Sequence, residues 1–76
     1  MNATQSRMAR AALDWSLDDL ARESGANRRS LVTFENDGQV LASTVEKVRQ
    51  AFEREGVVFI GRGVFRGGVV PPVEGA

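Results

Sequence analysis

Gly25 and Asn27 lie two residues apart between two short amphipathic stretches, and no other feature constrains the chain as much. Glycine takes the left-handed conformation that ends a helix at little steric cost. Asparagine is among the best residues for starting one, because its side chain accepts a free amide of the first turn. Upstream, Ser16 can accept the amide of Asp19, and Trp15 and Leu20 stand at the positions of a hydrophobic staple. Asp18 and Asp19 fall in that first turn, where the unpaired amides favour carboxylates. Leu20 and Ala21 then face inward, as do Leu31 and Phe34 beyond the turn. Two helices joined so tightly cannot lie side by side as parallel neighbours, so the implied unit is a helix-turn-helix over residues 16–35.

The remaining segments fill out a small helical domain. Residues 4–13 read as a helix capped by Thr4, with Met8, Ala9, Ala12 and Leu13 as its apolar stripe. Asn36, Asp37 and Gly38 form a polar turn, followed by a short connection through Val40 and Leu41. Ser43 and Glu46 are spaced as a capping box for a fourth helix. Its stripe is Val45, Val48, Ala51 and Phe52, it stops at Gly56, and its outer face from Glu46 to Arg54 reads as solvated surface.

After Gly56 the composition turns β-branched and aromatic: Val57, Val58, Phe59 and Ile60, then Val64 and Phe65 beyond Gly61 and Gly63. That pattern predicts a hairpin or an extended arm, and two short strands are not stable alone. The six apolar residues therefore either finish the core of their own subunit or build a dimer edge by pairing with a second copy. The expected fold is mainly α: a four-helix domain over residues 1–56, a β arm over 57–70, and a disordered tail over 71–76.

Composition narrows the function. The chain has 76 residues with no cysteine and no histidine, so disulfides, thiol nucleophiles and the usual soft metal ligands are absent. No metal site and no cofactor are expected. Ser30 and Ser43 have no histidine to activate them, and the Gly61/Gly63 and Gly67/Gly68 pairs match no phosphate loop preceding a helix. An enzyme is not expected. A chain this short is only modestly able to bury surface, which makes a second subunit the expected source of extra stability. No twenty-residue apolar span occurs and residues 1–10 lack the apolar stretch of a secretory signal, so a cytoplasmic location without membrane contact is expected.

Ten basic side chains balance ten acidic ones, but their distribution is uneven. Residues 24–33 contain Arg28 and Arg29 and no carboxylate, while Asp14, Asp18 and Asp19 precede them. In a helix-turn-helix the N-terminal residues of the second helix enter the major groove, and an arginine fork can donate to both O6 and N7 of guanine. Arg28 and Arg29 occupy that end, and Thr33 lies one turn beyond Arg29 as a third base-facing candidate, with Val32 a weaker one. Ser30 and Asn27, together with Ser16 at the start of the preceding helix, are candidates for holding the DNA backbone.

The stretch from Trp15 to Glu35, WSLDDLARESGANRRSLVTFE, resembles the phage-repressor or XRE-type helix-turn-helix family of Cro- and repressor-like proteins. Shared features are the acidic pair, Leu-Ala, the glycine turn, the polar cap, the hydrophobic residue and the final Glu; the resemblance covers residues 5–52. It implies a sequence-specific DNA-binding transcriptional regulator whose recognition helix spans about residues 28–35. It also implies that Arg28, Arg29 and Thr33 face bases, that Asn36 meets a phosphate through its amide or side chain, and that Arg10 pairs with Glu35 to lock the first helix onto the third. Two residues depart from the pattern: Leu17 stands where a backbone-contacting glutamine is usual, and Ala26 replaces the common valine of the turn.

Those departures keep a second class open. A repressor-like shape with neutral charge and an apolar arm also suits a protein-interaction module, such as an anti-activator, an antitoxin-like subunit or an adaptor that contacts RNA polymerase or another regulator. The expected partners are thus double-stranded DNA, a second copy of the chain, and a protein of that kind.

Overall fold

Four helices and a terminal hairpin make up the computed structural model, which describes residues 1–63 and 65–72. Helices α1 (Ala3–Leu13), α2 (Leu17–Ser24), α3 (Arg28–Glu35) and α4 (Ala42–Arg54) precede strands β1 (Val58–Phe59) and β2 (Val69–Val70). The result is a compact, mainly-α fold ending in a two-stranded antiparallel sheet, with Val58 opposite Val70 and Phe59 opposite Val69. Among the described residues no helix is long and apolar enough to cross a membrane.

The turn chemistry of the motif is as its residues dictate. Ser16 and Asp19 exchange bonds in a reciprocal capping box, Gly25 ends α2 at φ 74°, and the Asn27 side chain accepts from the amides of Arg29 and Ser30. At two other helix starts the cap differs from the sequence expectation. Asn2, not Thr4, caps α1, because Gln5 stands three residues on and completes a reciprocal box that Thr4 has no partner for. Leu41, not Ser43, is the N-cap of α4, without a side-chain bond; Ser43 lies in the first turn, and Glu46 is taken by Arg49.

The core collects Leu20, Leu31, Val48 and Phe52, all fully buried, with Ala9, Ala26, Ala51 and Val57 around them. Trp15 stacks on Phe52 at 5.7 Å between ring centroids, and Phe59 meets the same ring edge-on at 5.9 Å. Of the expected α1 stripe, Ala9 is fully buried and Leu13 packs partly on the core, whereas Met8 and Ala12 are exposed; Ala3, Gln5 and Ser6 complete the buried face instead. Small or hydrogen-bonding side chains suit that face because neighbouring backbone approaches it closely. Arg54, exposed on the outer face of α4 as expected, also donates to the Glu23 carbonyl at 2.7 Å, at the end of α2.

The arm closes on its own chain. Its second strand is Val69–Val70, and Phe65, expected to belong to the arm's apolar side, lies exposed ahead of that strand. Gln5 fastens the hairpin to α1 by donating from Nε2 to the carbonyls of Ile60 and Gly68, at 3.3 and 3.1 Å. Val57 is buried in the core, so it belongs to no external edge, whereas Phe59 and Ile60 are half-buried and Val58 is exposed. Val64, counted with these residues in the sequence, lies outside the described residues, as do residues 73–76 of the expected tail.

Candidate nucleic-acid interface

Helix α3 buries Leu31, Phe34 and Glu35 and leaves Arg28, Arg29 and Thr33 exposed on its other side. Its position is fixed chiefly through Glu35. The carboxylate accepts from Arg10 Nη2 at 2.7 Å, from Arg10 Nε at 2.9 and 3.1 Å, and from the hydroxyl of fully buried Ser6 at 2.7 Å. Arg10 also donates to the Trp15 carbonyl at 3.2 Å, and Arg7 donates to the Glu35 carbonyl, placing a second cation at the C-terminal end of α3. The Glu35 carboxylate therefore ties the end of α3 to α1, and Arg10 extends that tie to the segment before α2. Among the described residues no buried side-chain nitrogen or oxygen lacks a partner.

The two candidate arginines are not equivalent. Arg28 Nε donates to Asp18 Oδ1 at 2.6 Å, a pair in which both side chains are more than half exposed. Such a pair contributes little to stability, but it holds the guanidinium against the preceding helix. Among the described residues Arg29 has no ion-pair partner, and its guanidinium is the cation at the mouth of the motif. The Asp19 carboxyl in the first turn of α2 is held below its ordinary range by the Ser16 amide first and by Arg22 second, which keeps that charge occupied within α2.

The other candidates are partly committed. Asn27 Oδ1 is used in the cap, so of its side chain only the amide is left to donate outward. The Asn36 amide donates to the carbonyls of Val32 and Thr33 inside the helix end, so its side chain alone remains for a backbone contact. Ser16 Oγ accepts from the Asp19 amide, and Ser30 is half-buried. Thr33 Oγ1 donates back to the Arg29 carbonyl at 3.1 Å, which turns its hydroxyl away from the role of an outward donor. Leu17, the departure noted in the sequence, packs partly against the core.

Beside the arginine end lies an open groove of about 670 Å³ that the sequence did not reveal. Asn27, Arg29, Ser30 and Thr33 form its α3 wall, and Gln39, Val40, Leu41 and Thr44 the wall opposite. Gly38 sets their separation. Its amide donates to the Thr33 carbonyl at 2.8 Å, and a Cβ at this position would stand 2.6 Å from Thr33 Cγ2 and 2.9 Å from the Thr33 carbonyl oxygen. Only a residue without a side chain lets the connection lie so close to α3. The sequence signal was present in the polar turn of Asn36, Asp37 and Gly38, but nothing local showed which way the chain would leave it. Comparison with protein-family models, with curated proteins and with solved structures finds no match to this chain.

Proposed function

We propose that this chain is a cytoplasmic, sequence-specific double-stranded DNA-binding transcriptional regulator, with α3 in the major groove. The observation that carries the reading is the Arg29 guanidinium, exposed at the N-terminal end of a short helix whose opposite face is anchored through Glu35. A fork in that position can meet O6 and N7 of a guanine, while the Asn27 and Asn36 side chains are available to hold phosphates on either side. The resemblance to repressor-like domains supports the same assignment.

Arg28 and Arg29 then have separable roles. Arg29→Ala is expected to weaken the preferred duplex by about 1–3 kcal/mol and random duplex by much less, as read by fluorescence anisotropy at fixed salt. Asp18→Asn removes a negative charge and releases Arg28, so it is expected to strengthen binding to all duplexes within about 1 kcal/mol. Equal losses on every duplex for Arg29→Ala would make that residue a backbone contact.

A single eight-residue helix reads few base pairs, and a homodimer presenting two of them one helical turn apart would extend the site. Since Val57 is buried and the strands pair with one another, the surface proposed for that dimer is the outer side of the hairpin, with Val58, Val70 and Phe65. Sedimentation equilibrium of the full chain is expected to show a dimer, and Val58→Lys with Phe65→Lys a monomer. A wild-type chain that stays monomeric at high micromolar concentration, both alone and on DNA, contradicts this part of the proposal.

A further inference from the structure

Leu41 is 75% exposed although a leucine side chain gains by burial, and it lines the same groove as Arg29. The eight residues lining that groove include one cation, Arg29, and no carboxylate. Uncharged hydrogen-bonding side chains make up most of the rest, with Val40 and Leu41 as the apolar part. A surface of one positive charge and many small polar groups complements a polyanion. It is also continuous with the proposed reading face, because Arg29 and Thr33 belong to both.

We infer that Leu41, supported by Val40, is a specificity-determining residue that packs on the C5 methyl of a thymine next to the base read by Arg29. The inference rests on the DNA-reading assignment above. An aliphatic side chain has no donor or acceptor, and among base edges in the major groove the thymine methyl is the one apolar group it can meet with gain. The Gly38 fit against Thr33 keeps the chain that leaves α3 close to that helix, and Arg29 and Leu41 line the same groove beyond it. Leu41 makes no side-chain bond at the start of α4, so shortening it removes apolar surface without removing a helix cap.

The test is a cycle between Leu41→Ala and thymine-to-deoxyuridine replacement, which deletes the methyl and nothing else. The probe is the duplex selected by the wild-type protein, with each thymine replaced in turn and binding read by anisotropy. Wild type is expected to lose about three- to fivefold at one thymine of each half-site. Leu41→Ala is expected to bind the parent duplex weaker by a similar factor and to be indifferent to uridine at that position. If Leu41→Ala keeps the full thymine preference, or weakens on all duplexes alike as a sugar contact would, the inference is overturned while the DNA reading stands. A wild-type protein with no preferred duplex overturns both.

Discussion

Replacing Glu35 by alanine is expected to lower the stability of the free protein by about 3–5 kcal/mol. Two charges brought together out of water nearly cancel their own desolvation cost, so the intact pair adds little net stability. Removing one partner is different. The Arg10 side chain is 21% exposed and that of Glu35 6%, so the arginine would keep most of its burial and lose its counter-charge. Ser6, fully buried, would lose the acceptor of its hydroxyl at the same time. For a domain of this size the loss is a large part of the total, since small domains are stable by roughly 0.05–0.15 kcal/mol per residue. Urea denaturation without DNA measures it. Glu35→Gln, which keeps an acceptor for Ser6, is expected to fall between the two, and an unchanged midpoint for Glu35→Ala would show that the carboxylate is not the anchor described.

The second large effect is expected at Phe52. It is fully buried between Trp15 and Phe59, so one ring joins the segment before α2, α4 and the hairpin. Phe52→Ala deletes a benzyl group where three elements meet, and the cost of such a cavity is about 3–5 kcal/mol. Hydrogen exchange is expected to show amides of β1 and β2 losing protection along with α4, because the hairpin packs on the helices through Phe59 and Val69. A loss below about 1 kcal/mol, with the hairpin amides unchanged, would mean that the arm holds its place without this ring.

The motif was legible because its signals are local. Ser16, Gly25 and Asn27 act within a few residues of themselves, and the stripe of α4 survives any arrangement of its neighbours. The expected start of α1, at Thr4, lies two residues late, although Asn2 and Gln5 stand at the capping-box spacing and form its reciprocal bonds. The buried face of α1 was hidden for another reason. Gln5 and Ser6 read as surface residues until the hairpin carbonyls and the Glu35 carboxylate, contributed from distant parts of the chain, satisfy their polar atoms. Strand register after Gly61 likewise depends on a tertiary support, the Gln5 side chain, and not on the β propensity of Phe65. At the candidate interface, the positions of Arg28 and Arg29 followed from the turn, but the engagement of Arg28 by Asp18 crosses from one helix to the next and has no signature in spacing.

Selection of bound duplexes from a random pool, run in parallel with wild type and Arg29→Ala, tests the central claim most directly. The wild-type chain is expected to enrich two half-sites about 10–10.5 base pairs apart, each with an invariant guanine. Arg29→Ala is expected to recover the same flanking bases with that guanine lost. Failure of the wild-type protein to enrich any sequence, or recovery of an identical site by Arg29→Ala, would contradict the account of α3 as the reading element.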